Sequence, residues 1–195
     1  PPYKKSLIYD DISEKFIEFD VYKYNFIPNK NIQLVNKILD KTNSNLKNNF
    51  KFTPPKIKKD DNTYFDTFSK DHPYPLVNYV HKKIYVSFSK ERSKLQDGRP
   101  KLILPNYSMG YPILDELGIL DVGGRTSYVI YADDDKIEQL RKIQAFFLTD
   151  LALTLINSLK TAQKFLSTRT FTLFPNVTKL DIPNINDETL EKYFK

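Results

Sequence analysis

The stretch Gly98-Arg-Pro-Lys-Leu-Ile-Leu-Pro-Asn-Tyr-Ser-Met-Gly-Tyr-Pro-Ile-Leu-Asp115 decides the reading of this chain. It runs from a basic turn through a short apolar strand and a polar aromatic loop to a return strand. Shortly after it, Gly123-Gly-Arg-Thr-Ser-Tyr-Val-Ile-Tyr131 repeats the plan, with a glycine turn and an arginine leading into a second strand. Glycine turns that carry arginine beside aromatic and amide side chains suit a surface that docks onto phosphates and base edges. They do not read as a catalytic core.

Outward from this stretch the pattern predicts a mixed α+β fold. Ile84-Tyr-Val-Ser-Phe88 alternates and predicts a strand, Lys90 to Gly98 a basic connection, Lys101 to Leu104 and Thr126 to Tyr131 two further strands. Asp133-Asp-Asp135 marks a helix start, because carboxylates complement the positive end of the helix dipole. From about Lys136 to Lys160 apolar residues recur every three or four positions, which predicts one long helix, apolar most of the way round in its second half. Upstream, residues 1 to about 27 alternate as a strand and Asn31 to Lys41 has helical spacing. Thr42 to Tyr64 is polar and proline-bearing and reads as a linker or surface loop. Thr161 to Arg169 reads as a second short helix, Phe174 to Pro183 as extended, and Asn186 to Phe194 as a closing helix. The expected architecture is a small β-sheet with hairpin loops packed on a long apolar helix, plus an N-terminal strand and helix arm. Residues 1–62 would be arm and linker, and 63–195 the recognition domain.

Composition narrows the partners. The net charge of +6 and pI near 9.2 favour an acidic partner such as nucleic acid. Lysine- and asparagine-rich chains also follow from AT-rich coding, so charge alone carries little. Aromatics amount to 14 Phe and 13 Tyr, enough for a substantial core. The chain has no cysteine, which removes disulfides, thiolate metal sites and a cysteine nucleophile together. No apolar run approaches the ~20 residues that span a bilayer, and Pro1-Pro-Tyr-Lys-Lys5 has no apolar block behind it as a signal peptide needs. The expected location is the cytoplasm, a reducing compartment, with no membrane partner.

Several chemistries lack their residues. His72 and His81 are the only histidines and read as surface or packing residues rather than ligands. Gly123-Gly-Arg-Thr126 lacks the spaced glycines and the Lys-Ser/Thr step of a phosphate loop, and no Gly-x-Ser-x-Gly elbow occurs. The nucleic-acid signal is stronger. Lys90, Arg92, Lys94, Arg99 and Lys101 form a basic string, Arg125 stands on a Gly-Gly turn, and Arg169 follows Ser167-Thr168. Arginine suits bidentate contacts to phosphate or guanine, so its placement in turns outweighs the lysine count. Asn106 and Tyr107 offer base-edge or stacking contacts. A plainer reading has Tyr107 and Tyr111 packing the loop and the arginines pairing with Asp115, Glu116 or Asp121.

The order of these pieces is similar to a known family. A Pro-Lys-Leu-Ile strand, a loop, an Ile-Leu-Asp return, a glycine turn into Ser-Tyr-Val-Ile-Tyr131 and a long apolar helix come first. Phe171-Thr-Leu-Phe-Pro175 and a Leu-Asp-Ile-Pro183 segment follow. Over roughly residues 72 to 183 this resembles the target-recognition domain of type II restriction-modification adenine methyltransferases, especially forms of giant viruses and AT-rich bacteria. The resemblance implies that the chain reads duplex DNA and works with a catalytic domain or subunit held elsewhere, which would bind S-adenosylmethionine. No cofactor is expected in this chain, and Pro1-Pro-Tyr3 lacks the asparagine that opens the adenine-holding motif of such enzymes.

The leading expectation is therefore a sequence-reading DNA-binding domain without its own catalytic residues or metal site. Lys90, Arg92 and Lys94 would grip phosphates, Arg99, Asn106, Tyr107 and Arg125 would approach bases, and Arg169 would clamp the backbone. Two alternatives stand beside it. One is the Mg²⁺-dependent nuclease part of a restriction endonuclease, with Asp115, Glu116 or Asp121 on the metal beside Lys101. The other is a viral structural or assembly protein whose long helix serves a partner interface.

Overall fold

The computed structural model of the chain describes residues 5–24, 26–42, 45–46, 51–53, 64–80, 83–105, 111–122, 127–132, 136–159 and 168–194. For 51–53, 64, 79–80 and 168–169 it describes the backbone alone. The fold is mixed α+β. Its chain order begins with strands β1 (Ser6–Asp10) and β2 (Lys15–Phe19), a single helical turn α1 (Val21–Tyr24) and helix α2 (Ile32–Lys41). Strands β3 (Lys51–Thr53), β4 (Tyr64–Phe65), β5 (Tyr74–Val80), β6 (Lys83–Ser89) and β7 (Lys101–Pro105) come next. Then follow β8 (Ile113–Asp115), β9 (Asp121–Val122) and β10 (Ser127–Tyr131). Helices α3 (Ile137–Phe147), α4 (Asp150–Leu159) and α5 (Asp187–Phe194) complete it. Two compact units emerge, residues 1–49 with 145–195 and residues 50–144.

In the first unit β1 and β2 form a hairpin, with Leu7, Tyr9 and Phe16 exposed on one face and Phe19 buried on the other. Where one strand is expected over residues 1–27, the chain turns back at residues 11–14, with Glu14 at a left-handed φ of 53°. Helix α2 buries Ile32, Val35, Ile38 and Leu39, the stripe its spacing predicts. Within the expected linker, Leu46 is fully buried and its N–H bonds the Phe174 carbonyl at 3.1 Å.

The predicted long helix is two. Its break at Leu148-Thr149 has a local cause: the Thr149 hydroxyl donates to the Phe146 carbonyl at 2.7 Å and accepts the Ala152 N–H at 3.2 Å. Threonine followed by aspartate is a helix-start signal, and here it outcompetes the continuous apolar stripe. The Asp187 carboxylate accepts the N–H groups of Asp150 and Leu151, both at 3.1 Å, so a residue from the far end of the chain completes the cap. Phe146, Phe147, Phe171 and Phe174 then meet at centroid separations from 5.5 to 6.5 Å, in tilted and edge-to-face pairs.

Helix α2 is capped in a similar way. Asn31 has a left-handed φ of 55° and no side-chain cap, and instead the buried Asp10 carboxylate accepts the Ile32 N–H at 3.1 Å and the Ser13 hydroxyl at 2.8 Å. Burial alone would raise the Asp10 pKa. The bonds from the Ser13 hydroxyl and from the backbone of Ile32, Gln33 and Ser13 outweigh it and hold the carboxyl below its ordinary 3.8. A carboxylate with a depressed folded pKa stabilises the native state above its unfolded pKa and loses that contribution as pH falls through the folded value. Asp10→Asn is expected to cost about 1–2 kcal/mol at pH 7, and the difference from the parent should shrink below pH ~4. Urea unfolding at pH 7 and pH 3 measures it, and an equal penalty at both would refute the charged cap.

Among the described residues the second unit holds two four-stranded sheets, ordered β3-β10-β7-β8 and β4-β6-β5-β9. β7 and β10 are antiparallel neighbours, Leu104 opposite Tyr128 and Ile103 opposite Val129, and every residue of both is buried. The apolar strand of the first glycine-arginine stretch thus pairs with the strand of the second. β3, inside the expected linker, adds to the outer edge of β10. β9 joins β5 in parallel, a pairing that no local pattern announces. Val77, Ile103, Val122, Val129 and Tyr131 form the core of this unit, with Leu95, Ile113 and Leu120 against it.

Candidate nucleic-acid interface

Between residues 83 and 100 the chain carries five Lys or Arg against two Asp or Glu, so basic charge concentrates on β6 and the loop after it. That loop is built around Gln96. Its buried side chain donates to the carbonyls of Pro75 and Ile119, each at 2.9 Å, and accepts the Ser93 N–H at 2.9 Å. A fully bonded buried amide fixes the loop path, because every alternative would strand polar groups away from water.

On this frame the expected contact residues separate into three kinds. Lys90 and Lys94 are exposed. Arg92 and Arg99 are exposed but held. The Arg92 Nε donates to the Gln96 carbonyl at 2.6 Å, while the Arg99 guanidinium meets the Asp97 carboxylate at 2.9 and 2.6 Å and lies 4.6 Å from the Tyr131 ring centroid. Burial raises the Asp97 pKa, but the side-chain and backbone bonds from Arg99 and the charges of Arg99 and Lys101 bring it below 3.8. Tyr131 is pushed up to about 12, first by burial and then by the charge of Asp97. Arg99 bonds Asp97, a partner the plainer reading did not name.

Lys101 is a correction. It is 0 % exposed and its Nζ lies 2.6 Å from Asp115 Oδ2, its cross-strand partner. A lysine sealed between β7 and β8 does not reach a phosphate. The motif hid this, since a lysine after an arginine-bearing turn looks exposed until the strand is known to be covered on both faces.

Asn106, Tyr107 and Arg125 lie outside the described residues, as do His81 and Asp133-Asp-Asp135. The backbone of Arg169 falls in a 3₁₀ segment, Thr168–Thr172, in the other unit from the basic loop, and its side chain lies outside the described residues.

The carboxylates that the nuclease alternative requires are engaged in the fold. Asp115 accepts the N–H groups of Ile119 at 3.2 Å and Leu120 at 2.7 Å and forms the ion pair with Lys101. Glu116 pairs with Arg141 at 2.5 Å, and Asp121 accepts the Val122 N–H at 2.8 Å. Among the described residues no three His, Asp or Glu side chains gather as a metal site. Serving a metal would require Asp115 to give up the bonds that close its own turn.

Sequence reasoning placed the strand at Ile84–Phe88 but overlooked its exposure. Ile84, Tyr85 and Val86 stand in a row on β6 and are all exposed. The available signal was the uncharged run Ile84-Tyr-Val-Ser-Phe-Ser89 between two lysines.

No family model matches the chain, and no curated protein matches it. Among the described residues no helix is long and apolar enough to cross a membrane.

Proposed function

We propose that this chain is a sequence-reading duplex-DNA-binding module of a restriction-modification-type system, acting with a catalytic domain or subunit that binds S-adenosylmethionine. The observation that carries the reading is the rigid basic loop, in which exposed Lys90 and Lys94 flank Arg92 on a frame clamped by Gln96. Phosphate contacts position a protein on the duplex, and a fixed loop presents them without ordering cost at binding. Arg92 is tied through its Nε and Arg99 through Asp97 and the Tyr131 ring, while both residues remain exposed, an arrangement suited to directional contacts. Arg125, Asn106 and Tyr107 remain in the proposal as base-approaching residues on the grounds of sequence alone. Lys101 leaves it.

Fluorescence anisotropy with mixed-sequence duplex DNA across a salt series tests the reading. Each neutralised phosphate contributes about 0.9 to the slope of log affinity against log salt, so Lys90→Ala with Lys94→Ala should flatten that slope by roughly 2. Absence of binding at low salt, or a slope unmoved by the double variant, would remove the proposal.

A further inference from the structure

Among the described residues the β5–β6 hairpin leaves one edge of its sheet open. β5 pairs with β6 along its whole length, from Val80 opposite Lys83 to Tyr74 opposite Ser89. On the other side β4 covers only Phe88 and Ser89. Among the described residues no strand accompanies Lys83–Ser87 there. Consecutive strand residues point to opposite faces, and here Ile84 is 42 %, Tyr85 50 % and Val86 46 % exposed, so both faces are wet as well as the edge.

Such an edge is unusual for a chain this rich in charge. Natural sheets blunt exposed edges with charged residues, proline or a bulge, because a row of unpaired N–H and C=O groups recruits other strands. Ile84 to Ser89 contains neither a charge nor a proline, and it is composed largely of residues that favour strands. Charges stand only at its ends, the exposed Lys83 and Lys90.

Those lysines choose the occupant. A second copy would pair through the same edge about a two-fold axis, necessarily antiparallel, bringing Lys83 of one copy toward Lys90 of the other at both ends. Like charges at each end disfavour that pairing. We propose that the β6 edge takes up an extended segment of a partner protein by strand addition, with β-branched or apolar residues at its centre and Asp or Glu at both ends. Main-chain hydrogen bonds from Ile84–Ser87 hold it, the exposed side chains of Ile84, Tyr85 and Val86 read its alternate residues, and Lys83 and Lys90 meet its acidic ends. This inference does not depend on the DNA-binding reading.

The test uses fluorescein-labelled acetyl-Glu-Val-Thr-Val-Thr-Val-Glu-amide with the full chain, followed by anisotropy. Two versions carry backbone N-methyl groups on one or the other alternate set of residues. Only the set whose N–H groups face β6 should matter, weakening binding by about tenfold or more while the other set leaves it unchanged. Replacing both terminal Glu by Lys should weaken binding roughly fivefold. These changes are made in the peptide, so the protein's fold is not at issue. Equal binding of both N-methylated forms would mean charge attraction alone and overturn the proposal, as would no binding of the parent peptide at millimolar concentration. Self-association by sedimentation without peptide, abolished by Ile84→Lys with Val86→Lys, would assign the edge to a second copy and overturn it too.

Discussion

Lys101→Ala is expected to destabilise the protein by about 3–5 kcal/mol, the cost of leaving one member of a buried ion pair without the other. Lys101 Nζ and Asp115 Oδ2 are 2.6 Å apart with both side chains sealed from water. Asp115 carries a second duty, because its two oxygens also accept the Ile119 and Leu120 N–H groups that close the turn after β8. Asp115→Ala should therefore cost at least as much as Lys101→Ala, since it strands a buried ammonium and two backbone donors together. Combining Lys101→Met with Asp115→Asn removes both charges and keeps one acceptor oxygen for the turn, and should recover part of the loss. Urea midpoints for Lys101→Met, Asp115→Asn and the two combined form the cycle that measures the coupling. Additive penalties would show that the pair does not act as a unit. Where the Lys101→Met chain remains folded, its salt slope for duplex DNA should match the parent, in contrast to the Lys90 and Lys94 variants.

Gly118→Ala should be comparably severe. Gly118 has φ +64°, and a Cβ there would overlap the backbone of Gly98 and Arg99. Its carbonyl also accepts the Gly98 N–H at 3.2 Å, so the two glycine-bearing turns lie directly against each other. Backbone cannot retreat as a side-chain tip would. The left-handed strain and the overlap together predict a loss of roughly 3 kcal/mol or more. Gly98→Ala is the control: its φ is +84°, but a Cβ there meets nothing within 4 Å. Only conformational strain remains, about 1 kcal/mol. Thermal or urea unfolding should separate the two variants, and equal losses would mean that close approach is not what Gly118 supplies. Because Arg99 follows Gly98, partly folded Gly118→Ala should also loosen the Arg99–Asp97–Tyr131 arrangement.

Much of the local structure was legible because it follows from short-range periodicity. Alternation marked the strand at Ile84–Phe88, two apolar runs became β7 and β10, and the i, i+3, i+4 spacing of Ile32, Val35, Ile38 and Leu39 became α2. The helix break at Thr149 was written in the sequence too, but the apolar stripe ran through it with only a small phase change. A hydroxyl that caps by two hydrogen bonds weighs more in the chain than in a periodicity count.

The basic string was legible only as composition. Nothing local separates Lys90 and Lys94, which face water, from Lys101, which is paired in the core. That difference arises from strand order, since β7 lies between β10 and β8 and leaves no face of Lys101 uncovered. Likewise Gln96 reads as an ordinary loop residue until Pro75 and Ile119 arrive on either side of it.

Residue pattern alone thus set the mixed α+β class, the main strands, the amphipathic helices and the region of excess positive charge, because each depends on neighbours within a few positions. Folding decided the rest. It joined residues 1–49 with 145–195, placed Asp10 and Asp187 on the amino ends of helices far along the chain, sealed Lys101 against Asp115 and, among the described residues, left the edge of β6 open. Each of these turns on which distant segments exclude water from one another, and burial of that kind is a property of the packed chain rather than of any stretch within it.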